Sequence, residues 1–182
     1  MPDFAALLRG INVGGNRKMP MAELRSLCSA IGLENPLTYI QSGNIVFSAN
    51  GDPDDHRAAL ETAIEKKFGF AVPVIVRSAV QWQAYIAANP FANDAEISPK
   101  TLHLLVASAA PAPAAVEALS AKSGPNERIR RIDDVIWIDY ADGVGRSKLT
   151  PKLIDAAFGS PATARNLNTV LKLQDMLGDR SQ

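Results

Sequence analysis

Apolar and polar positions along this chain fall into blocks whose spacing alternates between two kinds of element. Residues 3–9, DFAALLR, form a short apolar run of strand length closed by Gly10, and are read as a strand. After a loop at 9–18, the stretch MPMAELRSLCSAIG places Leu24, Leu27, Cys28 and Ile31 at helical spacing. Pro20 stands near its first position and Gly32 at its end, the usual places for those residues at the two ends of a helix. LTYIQ (37–41) and NIVFSA (44–49) are β-branched and aromatic, meet across Ser42-Gly43-Asn44, and predict a hairpin. Residues 52–69 then open with Asp52 as a cap and Pro53 in the first turn, carry acids early and Lys66 and Lys67 late, and stop at Gly69, a helix matched to its own dipole. VPVIV (72–76) closes the series as a strand.

The order βαββαβ predicts a ferredoxin-like plait, two helices over one face of a four-stranded antiparallel sheet. A trailing helix follows in SAVQWQAYIAANPF, where Ser78 and Gln81 have capping-box spacing and Asn89-Pro90 ends the run. The hydrophobic period lapses between Pro90 and Pro99, which sets a first domain at 1–90 and a second at 100–182. TLHLLVA (101–107) begins a second round as a strand, and the Ala/Pro-rich stretch 111–122 keeps Val116 and Leu119 on one helical face. RIRRID and DVIWIDY alternate as strands across Asp133-Asp134, and TPKLIDAAFG is a helix capped by Thr150. Residues 160–178, SPATARNLNTVLKLQDMLG, are read as one last helix capped near Ser160. The expected class is therefore α+β: tandem ferredoxin-like units, the second completed by an extra C-terminal helix in place of a fourth strand. No residue-level repeat accompanies the duplication, which is one of pattern.

Composition narrows the functions this fold could serve. Nineteen Lys+Arg balance nineteen Asp+Glu over 182 residues, which argues against a general nucleic-acid coat or a membrane-surface protein. Cys28 is the single cysteine and suits a reducing cytoplasm. The opening MPDFAALLRG carries an acid where a signal peptide has positive charge, and no run approaches the roughly 18 apolar residues of a membrane span. The expected location is cytoplasmic.

Candidate chemistry concentrates in the loop RGINVGGNRK, residues 9–18. Its glycines free the backbone, Arg9, Arg17 and Lys18 supply charge, Asn12 and Asn16 supply amides, and a helix begins just after it. Such a loop suits an anion. It lacks the P-loop spacing. Ser42 and Asn44, on the hairpin turn, add a hydroxyl and an amide. A second glycine-rich cationic stretch, GVGRSKLTPK (143–152), offers Arg146 and Lys148 before the helix at Thr150. Arg165, Asn168 and Lys172 share a face if the last helix starts near Ser160. The histidines, His56 and His103, fall in different units away from Cys28, so no metal site is expected. No cofactor pattern and no catalytic nucleophile or base stands out.

LLRGINVGGNRKMPMAELR, YIQSGNIVFSA and SKLT…TARNLNTVLKLQDM resemble a bacterial family catalogued as domain of unknown function 1697. The resemblance implies two ferredoxin-like units in a cytosolic protein with no established activity. Where that family often reads Asn-Trp-x-Thr-Val, this chain has Leu167 in the place of the Trp. The first functional reading is binding of an anionic or phosphate-containing ligand, through Arg9, Asn12, Asn16, Arg17, Lys18, Ser42 and Asn44, with Arg146, Lys148 and Arg165 as a second set. Three alternatives stand beside it: an enzyme acting on an acidic or phosphorylated substrate, a binder of RNA or single-stranded nucleic acid using Phe4 and Phe47 on the plait sheet, and a scaffold or homo-oligomer.

Overall fold

The computed structural model describes residues 1–181. The chain divides into two compact units, unit 1 of Met1–Gln83 with the segment from Leu173 onward, and unit 2 of Ala84–Lys172. Each holds a four-stranded antiparallel sheet, and the described residues form six α-helices.

Unit 1 contains β1 (Asp3–Leu8), α1 (Met21–Ala30), β2 (Glu34–Tyr39), β3 (Asn44–Ser48), α2 (Pro53–Phe68) and β4 (Val74–Ser78). The strands lie in the order β2-β3-β1-β4, with Phe4 opposite Phe47 and Ala6 opposite Val76. Alternate strand residues Phe4, Ala6, Leu8, Ile45, Phe47, Val74 and Val76 join Leu24 and Cys28 of α1 and Leu60 and Ile64 of α2 in one buried cluster. Burial of this kind contributes about 1.5–3 kcal/mol for each large side chain. The opposite sheet face is also closed: Ala5, Leu7, Val46 and Ile75 are each at most 2% exposed. Both helices end as their sequences predict. Asp52 accepts hydrogen bonds from the amides of Asp54 and Asp55, and Gly69 takes the left-handed conformation, φ 79°. After α1, Leu33 N–H donates to Cys28 O and Gly32 N–H to Ser29 O, the paired bonds of a left-handed glycine stop.

Unit 2 contains β5 (Leu102–Ala107), α4 (Ala115–Ser120), β6 (Arg128–Ile132), β7 (Val135–Asp139), α5 (Pro151–Phe158) and β8 (Ala162–Asn166), its strands ordered β6-β7-β5-β8. Leu105, Ala107, Ile129, Ile136, Ile138 and Tyr140 pack with Leu119 of α4 and Phe158 of α5. The boundary between the units falls inside α3 (Ala79–Ala87) and again inside α6 (Leu167–Gly178). Ser78 and Gln81 make the reciprocal capping box at the start of α3.

One expectation fails. Residues 162–166 are not the first turns of a final helix; they are β8, paired antiparallel to β5 with Ala164 opposite Leu105 and Asn166 opposite His103. Unit 2 therefore has its fourth strand, and the C-terminal helix follows that strand instead of replacing it. The residues are small and mixed, and long-range pairing to β5 decides their state over local preference. The helix starts where Asn166 Oδ1 accepts from Thr169 N–H at 3.0 Å, a side-chain cap six residues later than the one expected at Ser160. Arg165 thus lies on a strand and does not share a helix face with Asn168 and Lys172. The Ala/Pro-rich stretch also yields a shorter helix than 111–122, only Ala115–Ser120.

Candidate functional site

The loop between β1 and α1 is a built object. Val13 and Asn16 bridge each other around Gly14 and Gly15, at φ 57° and 78°, a tight reversal that two left-handed residues permit. Asn12 N–H donates to Arg17 O at 3.1 Å and Asn16 N–H to Val13 O at 3.0 Å. Asn12 and Arg17 themselves sit at φ 54° and 49°, so left-handed backbone recurs through the segment.

The Asn12 side chain holds this shape. Its Oδ1 accepts from Met19 N–H at 2.8 Å, and its Nδ2 donates to Met19 O at 3.0 Å and to Gln41 O at 2.8 Å. One amide closes the loop on itself and ties it to the β2–β3 turn. Below it, Leu8 N–H donates to Gly43 O, and a Cβ on Gly43 would come within 2.7 Å of Ile11 Cδ1 and 2.8 Å of Leu8 Cβ. Only glycine fits there. Asn44, fully buried, donates to Tyr39 O and to Ser42 Oγ. Asn12, Ser42 and Asn44 therefore build the frame.

What the frame presents is cationic. Asn16, Arg17 and Lys18 are exposed and Arg9 is half-buried. Among the described residues, no carboxylate pairs with Arg17 or Lys18, and none accepts from the amides of Gly14, Gly15 or Lys18. Arg17 does not simply trail into solvent: its Nη1 lies 3.7 Å from where a Cβ on Gly10 would sit, so the guanidinium folds back over the start of the loop. Three residues after Lys18, α1 begins at Met21, and Pro20 in its N-cap position supplies no side-chain cap, leaving the positive end of that helix open.

The second set lies in unit 2. Arg146 ends a short 3-10 turn, Val144–Arg146, and is exposed, as is Lys148. Leu149 anchors the stretch in the core before Thr150 caps α5. Arg165 is buried, donating to Thr163 Oγ1 at 2.7 Å and to Ala164 O at 2.9 Å, and burial lowers its pKa to about 10. Such an arginine is structural.

Several groups leave the list of candidates on geometry alone. Phe4 and Phe47 do sit on the central strands β1 and β3, but they stack on one another at 5.5 Å inside the helix-side core, 2% and 0% exposed. No base can reach them. Cys28 is buried and its thiol is pushed up to about 12 by desolvation, the opposite of a reactive cysteine. His103 Nδ1–H donates to Thr101 O at 2.9 Å and the ring lies edge-on to Tyr140, and desolvation lowers its pKa. Among the described residues, no group of three or more His, Cys, Asp or Glu is placed to hold a metal ion, and no helix is long and apolar enough to cross a membrane.

A family model described as a protein of unknown function, DUF1697, matches residues 1–137. The chain belongs to that family. The DUF1697 match takes in the whole opening loop and the β2–β3 turn beneath it, and stops before Arg146, Lys148 and Arg165. Among solved structures, the DUF1697 chain is similar to the conserved bacterial protein SP0830 from Streptococcus pneumoniae. They share 26% identity and a TM-score of 0.75, over 97% of this chain and 98% of that one. No curated protein gives a significant match to this DUF1697 chain.

Proposed function

We propose that the loop at residues 9–18 binds an anionic, phosphate-containing ligand, with Arg17 and Lys18 as its charge contacts, Arg9 beside them, and Asn16 and the Gly14 and Gly15 amides completing the rim. We further read each unit as a ferredoxin-like plait, which the element order and the strand orders β2-β3-β1-β4 and β6-β7-β5-β8 support, and the cytoplasm as the working compartment. The observation that carries the binding reading is the contrast inside one loop. Asn12 fixes the backbone with three side-chain hydrogen bonds, whereas Arg17 and Lys18, raised on that backbone, have no acidic partner among the described residues. A left-handed frame held this firmly for two unpaired cations fits preorganised recognition, in which little ordering remains for the ligand to impose. Arg146 and Lys148 form a lesser cationic turn in unit 2.

Thermal shift with inorganic phosphate, pyrophosphate and a nucleoside triphosphate, at matched ionic strength, tests the reading. Ligand at a hundred times Kd stabilises by about 2.7 kcal/mol, which for a chain of this size raises Tm by roughly 5–11 °C. The Arg17→Ala/Lys18→Ala variant removes exposed side chains only and is expected to keep its unliganded Tm and lose the shift. Absence of any anion-specific shift, or a shift indifferent to that variant, refutes the proposal.

A further inference from the structure

One end of unit 1 combines positive charge with bare aliphatic surface. Leu7 stands opposite Asn44 and Leu8 opposite Val74, so the loop at 9–18, the β2–β3 turn and the link from α2 to β4 share that end of the sheet. Arg9, Arg17 and Lys18 lie there, and α2 brings Lys66 and Lys67 in its last turn. The acids at this end are Glu65, Glu23, which pairs with Lys67 at 3.7 Å, and Glu61, which is engaged by Arg57 and the Val74 amide. The neutral charge of the whole chain averages over this local excess. The same end exposes Val13 to 66% and Ile40 to 49%. Both are held out by the frame. Val13 stands at the reversal around Gly14 and Gly15. Ile40 sits at φ 51°, a conformation that β-branched residues adopt only under constraint. The carbonyls on either side of it are pinned: Tyr39 O accepts from Asn44 Nδ2 at 2.9 Å, and Gln41 O from Asn12 Nδ2 at 2.8 Å. The second bond also ties the residue before Val13 to the residue after Ile40.

We propose that this end of unit 1 docks on a bilayer surface containing anionic phospholipid; the polar half of that contact rests on the anion reading of the loop. Headgroup phosphates meet Arg17, Lys18 and the cations beside them, while Val13 and Ile40 enter the boundary of the acyl chains. Cationic and apolar contacts paired in this way hold peripheral proteins at an interface. A free phosphate accounts for the cations and leaves the two aliphatic tips without a purpose. Single-stranded nucleic acid, the other extended polyanion, is bound on exposed aromatic platforms. The aromatic residues of this end, Tyr39, Phe68 and Phe70, are half-buried, and the two phenylalanines pack against the unit 1 core. Two aliphatic side chains and a few cations make a reversible contact that salt weakens.

The test is co-sedimentation of the full chain with vesicles of phosphatidylcholine alone and of phosphatidylcholine mixed with phosphatidylglycerol, at low and high salt. Binding is expected only to the mixed vesicles and is expected to weaken with salt. The Val13→Asn/Ile40→Asn variant changes exposed side chains, and asparagine suits the left-handed backbone at position 40, so its Tm should not fall. It is expected to bind mixed vesicles at least tenfold more weakly while keeping the thermal shift with inorganic phosphate. Arg17→Ala/Lys18→Ala is expected to lose both. A phosphate shift without vesicle binding overturns this proposal and leaves the anion reading standing, whereas absence of both removes both. Vesicle binding indifferent to Val13→Asn/Ile40→Asn, or tighter retention by a single-stranded oligoribonucleotide than by the mixed vesicles, also overturns it.

Discussion

Single residues in unit 1 do work that their type alone does not announce. Asn12 has the composition of a ligand contact, but its carboxamide is wholly engaged with Met19 and Gln41. The sequence showed a polar donor in a glycine-rich loop; its target 29 residues away was invisible until the chain folded. Asn12→Ala is expected to lose about 2–4 kcal/mol, because it strands the Met19 amide and puts alanine at φ 54°, and equilibrium urea unfolding measures it. Gly43→Ala is expected to destabilise by a similar amount, since its Cβ would press on Ile11 and Leu8. His56 illustrates the same concealment. Its ring is wedged edge-on against Phe4 at 4.7 Å and Phe47 at 5.5 Å, and desolvation lowers its pKa from 6.5 against the opposing pull of Asp55 and Asp52. Below pH 6.5 the unfolded chain takes up the proton that the folded chain resists, so stability is full above that pH and falls as pH drops. Urea midpoints at pH 7.5 and 5.5 should separate in the parent and lie closer together in His56→Leu.

Elements were legible where their signals were local. Asp52, Gly69, the Ser78–Gln81 box and Thr150 all act within four residues of themselves, and each is found capping the helix its position predicts. Asp52→Ala is expected to cost about 1 kcal/mol, read as a drop in Tm with α2 amides exchanging faster. β8 was illegible for the converse reason. Ala162–Asn166 owes its state to β5, nearly sixty residues earlier in the chain, and Val170, Leu173 and Leu177 behind it extend a helical rhythm backwards over residues that do not share it.

At the scale of the molecule, unit 1 is completed from the far end of the sequence. Arg180 is almost buried and donates to Asp3 Oδ1 at 3.1 Å, Ser48 Oγ at 2.8 Å, and the carbonyls of Glu34 and Asn35. It binds β1, β2 and β3 at the edge of the same sheet. With both partners about nine-tenths shielded, Arg180→Ala leaves an uncompensated carboxylate and is expected to destabilise by about 3–5 kcal/mol, while Arg180→Ala/Asp3→Asn should recover part of that loss. Denaturation of the two variants side by side separates the charge effect from lost packing. A neutral chain with two glycine-rich cationic turns shows these in its sequence; a sheet riveted by its last arginine it does not.

That closure sets a timetable for biosynthesis. Asp3 and Ser48 leave the ribosome early, but unit 2 must be translated before Leu173 and Arg180 can arrive. At 5–20 residues per second, this intervening stretch of about 90 residues imposes a wait on the order of 5–20 s. Throughout it, the nascent N-terminal sheet is held without its guanidinium rivet, open to chaperones and proteases. Fusions or truncations at the C-terminus therefore disturb the oldest part of the polypeptide, and a circular permutant that joins the termini and opens within unit 2 would let unit 1 fold as one uninterrupted piece.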